Sequence, residues 1–262
     1  MMKKVSVLRI SYLSVTSVGQ QTGKIHRKQN IKIQDVSFIG EKDGIAVFGL
    51  ADGQGKTDLC SVGGREVLQT VAEYIWSLGF DNLSSFRYHD ELQYALLTRI
   101  RRKIDELTEV YQLDDNSELS STLLMIAIDT YTGRYVSVHI GDGIVIGIRK
   151  DNAMVLVSRP DNGITSQYTW FTTSDTAMHH LRIDFGSVEG YKRFFLVTDG
   201  AELLCNGSFV FPEAQSLMTD GTLESVIAYM NKSEPNDDAS LIAIEIGPKD
   251  SITGDVEILA NR

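Results

Sequence analysis

Three apolar runs in this sequence stop on the same dipeptide. "FGLADG" ends at Asp52-Gly53, "VSVHIGDG" at Asp142-Gly143 and "FFLVTDG" at Asp199-Gly200. Two further runs open on acids: Gln34-Asp35 heads "QDVSFIGE", and Asp237-Asp238 heads "DDASLIAIEI". For any one Asp-Gly, an ordinary turn is a sufficient account. Carboxylates converging at the ends of core strands are different, because they repel unless cations neutralise them. Such a set of oxygen donors suits a hard divalent ion, Mg²⁺ or Mn²⁺. Zinc suits it less, since the five histidines show no ligand spacing such as His-Glu-x-x-His.

The stretch "AVFGLADGQGKTD" offers a rival chemistry, a phosphate-cradling P-loop. That loop needs G-x-x-x-x-G-K-[ST] between a strand and a helix. Gly55-Lys56-Thr57 supplies its end, but the first glycine would fall on Leu50, and Gly49 is one place early. Asp52 and Asp58 would also repel the phosphate the loop should hold. The carboxylate of Asp52 is therefore the functional feature of this turn.

The elements that must position these acids read mainly as strands. Runs with strand character are "VSVLRISYLSV", "QDVSFIGE", "GIAVFGLAD", "STLLMIAIDTYT", "RYVSVHIGD", "GIVIGIRK", "AMVLVSRP", "KRFFLVTDG" and "ASLIAIEIG". Two helical patterns sit together. Gly64 to Leu78 places Val67, Leu68, Val71, Tyr74 and Ile75 on one face, and Tyr88 to Leu113 does so with Leu92, Ala95, Leu96, Ile100, Ile104 and Leu107. A third helix is expected within Thr222–Lys232. Short turns between strands imply antiparallel sheets with helices outside rather than a βαβ array. No linker divides the chain, so a single domain over 1–262 is expected. The polar and aromatic stretch at about 160–190 reads as a flap-like excursion over a site rather than as core.

Composition narrows the partners. The formal net charge is -10 and the pI is about 5.0, with no compensating Lys/Arg block, which argues against nucleic acid. No run approaches transmembrane length, so no membrane partner is expected. The basic start "MMKK" leads into a run broken by Arg9 and Ser11, with no cleavage site, and reads as a first strand. Cys60 and Cys205 lie far apart and read as buried thiols. A soluble, reducing, cytoplasmic setting is the expectation. Oligomeric state is not legible.

The order of these motifs resembles the metal-dependent protein phosphatases of the protein phosphatase 2C type, along nearly the whole chain. "FGLADGQGK" resembles the family's strand ending in Asp-Gly-x-Gly, and "SSTLLMIAI" from Ser120 its Gly/Ser-Ser/Thr-Thr strand. "VHIGDG" resembles its Val-Gly-Asp-Ser hairpin, "FFLVTDG" its Ser-Asp-Gly strand, and "DDASLIAI" its closing Asp-Asn/Asp-x-Ser/Thr strand. The bacterial branch with His…Gln-Asp near the start is closest, through Gly23, His26 and Gln34-Asp35; "PDNGITSQYTWFT" is similar to that branch's flap.

The resemblance implies an α+β fold, an α-β-β-α four-layer sandwich of two antiparallel sheets flanked by helices. It implies that Asp52 bridges two ions and that the Gly53 carbonyl ligates one. Asp199 and Asp237 complete the other shell, Asp35 binds directly or through water, and Asp142 helps hold a third, weaker ion. Gln34 stands where the family has its first acid and would be a weak ligand. The usual histidine after Asp-Gly is Gln54, and the usual phosphate-binding arginine falls on Asn30, so His26, Arg27 or Lys32 would substitute at the phosphate. A further acid of the family is Leu203 here.

The reaction implied is hydrolysis of a phosphomonoester, phosphoserine or phosphothreonine of a protein, by water activated on Mn²⁺ or Mg²⁺. Asp52, Asp199 and Asp237 would carry catalysis through that water. No side-chain nucleophile is needed, in keeping with the lack of a Cys-x5-Arg loop and of Asp-x-Asp-x-Thr. A phosphatase-like binding or regulatory module is the alternative, favoured by Gln34, Gln54 and Leu203.

Overall fold

A computed structural model of the chain describes residues 13–54, 57–83, 89–162, 169–201, 203–232 and 234–247. The proposed start of the first strand, residues 5–12, lies outside them, as do Gly55 and Lys56 and the middle of "PDNGITSQYTWFT". In chain order the elements begin with β1 (Leu13–Gln21), α1 (Lys24–Gln29), β2 (Val36–Lys42), β3 (Ile45–Ala51), α2 (Leu59–Leu83) and α3 (His89–Tyr111). After a 3-10 turn at Asn116–Leu119 come β4 (Leu123–Asp129), β5 (Arg134–Ile140), β6 (Ile144–Arg149), β7 (Met154–Ser158) and α4 (Ala177–His180). The last are β8 (Arg182–Ser187), β9 (Tyr191–Val197), β10 (Cys205–Asn206), β11 (Phe209–Val210), α5 (Pro212–Asp220), α6 (Leu223–Met230) and β12 (Ala239–Ile246).

Two five-stranded sheets result, ordered β1-β12-β9-β6-β7 and β2-β3-β4-β5-β8. Every described pairing between their strands is antiparallel. The side chains alternate as a period of two requires. In β3, Ala46, Phe48 and Leu50 enter the core between the sheets, while Ile45, Val47 and Ala51 face α2. In β4, Leu124, Ile126 and Ile128 face inward, and Leu123, Met125 and Ala127 face the helices. The other sheet follows suit: Phe194, Leu196, Ile242 and Ile244 meet the inter-sheet core, whereas Phe195, Val197, Leu241 and Ala243 pack with Met218, Val226 and Met230 of α5 and α6. These three apolar layers make the α-β-β-α sandwich. Both sheets are hydrophobic on both faces, which is why their strands read as nearly unbroken apolar runs.

Within α2 the backbone leaves the helix at Gly79, φ 68° and ψ 161°, so α2 is two helices joined across a kink and the first stops at the expected Leu78. Among the described residues, no helix is long and apolar enough to cross a membrane. The stretch 160–190 is not one excursion. Its second half forms α4 and β8, and β8 pairs with β5 from Arg134↔Ser187 to His139↔Arg182. Ala177, Leu181 and Ile183 join the helix-side core, so this part is packed structure and not a cover over a site. Asn162 and Thr169 meet in a bridge at the base of the first half.

Candidate functional site

The antiparallel register explains how acids distant in sequence meet. Val36 pairs with Ala51, Leu50 with Leu124, and Leu123 with Ile140. In the other sheet Val197 lies between Ile144 and Leu241. These pairs mark one end of both sheets. Just past them along their strands lie Asp35, Asp52, Asp142, Asp199 and the pair Asp237-Asp238. Strand polarity alternates, so starts of β2, β6 and β12 share this end with the finishes of β3, β5 and β9.

Carboxylate oxygens of Asp52, Asp142 and Asp199 all lie within 4.8 Å of one another. Two unit charges about 4 Å apart repel by about 4 kcal/mol at an effective dielectric of about 20. Protons or cations must relieve that repulsion. Burial, with Asp35, Asp199, Asp237 and Asp142 around it, pushes the Asp52 carboxyl well above its ordinary range. Burial and the charges of Asp142 and Asp237 push Asp199 up to about 7, although a hydrogen bond with Asp52 pulls the other way. Burial raises Asp142 as well, with Asp237 adding to it.

Asp35 is 4% exposed and is pushed up to about 7, first by burial and then by Asp238 and Asp199, against bonds from Ser240 and Thr198. Thr198 Oγ1 donates to Asp35 Oδ2 at 3.0 Å, while Oδ1 is buried with no partner. A buried carboxylate oxygen left without a donor is a costly arrangement that a cation would relieve. The donor set thus fits divalent metal: hard oxygens, excess negative charge and an orphaned oxygen at one place.

The backbone around Asp52 is fixed. Its N–H donates to Thr122 Oγ1 at 2.9 Å, and its carbonyl accepts from the Thr122 N–H at 2.8 Å. Gly53 bridges to Ser121. A Cβ at Gly53 would stand 2.9 Å from both Cys60 Sγ and the Gln34 carbonyl oxygen, so only glycine fits. Gln34 is 2% exposed, and its Nε2 donates to the Thr57 carbonyl at 3.0 Å, joining the entry of β2 to the entry of α2. Because β3 pairs antiparallel with β2 and β4, the parallel βαβ setting of a P-loop is absent here.

Asp237 is exposed, and its Oδ1 accepts from the N–H of Asp238 at 2.8 Å. Nitrogen and oxygen atoms of His26, Asp237 and Asp238 also lie within 4.8 Å of one another. His26 Nδ1 is 2.9 Å from Asp238 Oδ2. Arg27, by contrast, reaches Glu234 at 3.8 Å, Lys32 reaches Asp58 at 3.7 Å, and Asn30 only caps α1 with φ 57°.

Sequence reasoning assigned no role to Asp238, Thr198 or Thr122. The signal for Asp238 was present. Two successive acids entering a strand point to opposite sides, so one of "DD" had to turn inward. Thr198 sits beside Asp199 in "VTDG", where a hydroxyl next to buried carboxylates is a usable donor. Thr122 in "SST" adjoins no site acid, and its hydroxyl accepts from the Asp52 N–H, which spacing does not signal.

The family described as protein phosphatase 2C has a model that matches residues 22–243. No curated protein matches by sequence. Solved structures of similar shape include a bacterial serine phosphatase, 13% identical with a TM-score of 0.65 over 90% of this chain and 99% of that one. RsbX in complex with magnesium is 15% identical, with a TM-score of 0.59 over 91% of this chain and 100% of that one. The S. agalactiae serine/threonine phosphatase is 14% identical, with a TM-score of 0.63 over 89% of this chain and 100% of that one. At these identities the structures attest the fold, and the family match attests descent. With strand order, sandwich and acid-lined end all in agreement, the chain belongs to the protein phosphatase 2C family of protein phosphatases.

Proposed function

We propose that this chain hydrolyses phosphoserine or phosphothreonine in proteins at the acidic end of its two sheets, with Mn²⁺ or Mg²⁺ as cofactor. The observation that carries the reading is the convergence of Asp52, Asp142 and Asp199 within 4.8 Å, with their carboxyls pushed upward by crowding and burial. Asp52, Asp199 and Asp237 would hold two ions, assisted by the Gly53 carbonyl and Asp35. Asp142 would serve a third, weaker ion, and Gln34 would add at most a weak neutral contact. When bound, such ions supply positive charge at the phosphoryl group and lower the pKa of water toward neutrality.

The remaining work falls to the chain itself. The Asp carboxylates, deprotonated once their repulsion is relieved, fix the site's geometry. Thr122 and Thr198 hold Asp52 and Asp35 from behind. His26, half-buried with one nitrogen on Asp238, would present its other nitrogen to the phosphate, and Arg27 would be a second cation only by leaving Glu234, 3.8 Å away. Cys60 and Cys205 are buried and free, in keeping with a reducing, cytoplasmic setting. One observation favours the alternative of a binding module with little turnover: the neutral Gln34 is committed to Thr57 and adds no charge to the site.

The test is phosphate release from p-nitrophenyl phosphate and from a phosphothreonine peptide, with Mn²⁺, with Mg²⁺ and with chelator. Metal should support release and chelator should abolish it. Activity that persists in excess chelator would sink the mechanism. A folded sample inactive with either ion would establish the binding module instead.

A further inference from the structure

We infer that Asp238, just before β12, is the positioning residue of this site: its carboxylate ties the segment 23–34 to the strand that carries Asp237. Asp238 is 1% exposed, so its charge must be met by donors or it would be prohibitively costly to bury. Three donors meet it. The Gly23 N–H reaches Oδ1 at 2.8 Å, the Gln34 N–H reaches Oδ2 at 2.6 Å, and His26 Nδ1 lies 2.9 Å from Oδ2. Bonds from backbone N–H groups to a carboxylate are charge-assisted and about twice as strong as neutral ones.

Each partner leads to the site. Gln34 immediately precedes Asp35. His26 is the side chain proposed to meet phosphate. On the other side, the N–H of Asp238 itself donates to Asp237 Oδ1 at 2.8 Å. One residue therefore sets Asp35, His26 and Asp237 relative to one another. The neighbouring backbone follows the same line: the Lys24 N–H donates to the Pro235 carbonyl at 2.8 Å, and the Ile25 N–H to the Asn236 carbonyl at 3.3 Å. Gly23 lies against the Asp237 backbone so closely that no Cβ would fit.

The proximity of His26, Asp237 and Asp238 also has the look of a separate cation site. The donor count decides against it. Both oxygens of Asp238 already accept hydrogen bonds, two from backbone N–H groups, and an ion there would have to displace them. The carboxylate acts on the protein's own segment and not on a metal.

The kinetic part of this inference rests on the phosphatase reading, so its test has two arms. Backbone amide exchange in the full chain with chelator reads the tie directly. Gly23 and Gln34 should be protected in the wild type. In Asp238→Ala they should exchange faster by on the order of 10-fold or more, while Leu241 and Phe195 stay protected. Asp238→Asn, which keeps the shape and loses the charge, should fall between. Unchanged exchange at Gly23 and Gln34 in Asp238→Ala would overturn the inference, whatever the activity.

The second arm measures turnover of p-nitrophenyl phosphate with Mn²⁺. Asp238→Ala and His26→Ala should each lose on the order of 10-fold or more, the scale of residues that orient others. The double variant should be no worse than the poorer single, because Asp238 acts on phosphate through His26. Wild-type turnover in a variant whose two amides are released would show that the tie does not serve the site. If the wild type itself turns over nothing, the phosphatase reading fails, and the exchange arm still decides the tie.

Discussion

Asp52 and Asp129 both stand where a buried strand of the β2-β3-β4-β5-β8 sheet gives way to a turn, at opposite ends of that sheet. Asp129 is matched to its surroundings. Its Oδ1 accepts from the N–H groups of Tyr131 and Thr132, at 2.9 and 3.2 Å, and its Oδ2 accepts from Thr132 Oγ1 at 2.6 Å and from Arg134 at 3.4 Å. Burial opposes ionisation there, but the bonds from Thr132, Tyr131 and Arg134 outweigh it and hold the carboxyl below its ordinary range. Asp52 has the reverse. Burial and four neighbouring acids push it well above that range. Residue type and position in the strand are the same, so the surroundings alone separate a turn residue from a site. An acid whose environment favours ionisation needs no ligand; one whose environment disfavours it invites a cation.

The widest separation between the two ends should come from Asp52→Asn. Removing a ligand from the acidic end should cost turnover on the order of 10²-fold or more, by comparison with the 10–100-fold quoted for residues that only support ligands. The metal-free protein should melt at the same temperature or higher, since one repelling charge is gone. Near-normal turnover of Asp52→Asn at saturating Mn²⁺ would remove Asp52 from the site. Asp199→Asn and Asp237→Asn should follow the same pattern.

Asp142 tests whether the acidic end is graded. It lies in the β5–β6 turn, a place where an aspartate is ordinarily dispensable. Asp142→Ala should lower turnover roughly 10-fold, with little change in Mn²⁺ affinity by calorimetry and little in Tm. Unaltered turnover would return it to the class of Asp129.

At the matched end the outcome should invert. Asp129→Ala strands the donors of Tyr131, Thr132 and Arg134 and should cost roughly 1–3 kcal/mol of stability, the penalty for unmade bonds at a partly buried group. Turnover per folded molecule at a permissive temperature should stay level. A loss of turnover with no loss of stability would break the comparison from this side.

How much of this was legible in the sequence depends on how many faces an element buries. Strands buried on both sides, such as Ile45–Ala51 and Leu123–Asp129, announce themselves as apolar runs, and their acids mark the site end. Edge strand β8 does not. In "RIDFGS" only Ile183 is buried, and Phe185 is 37% exposed, so the run carries too little pattern to stand apart from a loop. Helix α5 buries Ala214, Met218 and Thr219 in nine residues, a face too thin to read. The gathering of Asp52, Asp142 and Asp199 could be foreseen because each ends a strong strand. Asp238 could not be told from Asp237 by spacing, because what distinguishes them is three donors arriving from residues 23–34. The divergence of Asp129 from Asp52 was half hidden: the partners of Asp129 lie within five residues of it in "DTYTGR", but only the fold brings four acids to Asp52.

The smallest effect, and the one that reads both ends at once, is the pH dependence of metal-free stability. Asp35 and Asp199 sit at about 7 when folded, against an ordinary value of 3.8. Between those values the folded chain binds more protons than the unfolded chain, so stability must fall as pH rises from about 4 to about 7. Below that window both states are protonated and the penalty vanishes; above it the penalty is complete. Asp129 has the opposite sign. Its carboxyl is held below 3.8, so its contribution is present above that value and is lost as pH falls through it. With chelator, the melting temperature should therefore be lower at pH 7.5 than at pH 5. Asp199→Asn should flatten that decline, and Mn²⁺ should abolish it by supplying the charge that protons supplied at low pH. Asp129→Ala should leave the decline intact and lower the whole curve. A melting temperature that rises from pH 5 to pH 7.5 in chelator would mean that the carboxylates at the acidic end are not in conflict, and the physical ground for placing cations there would be gone.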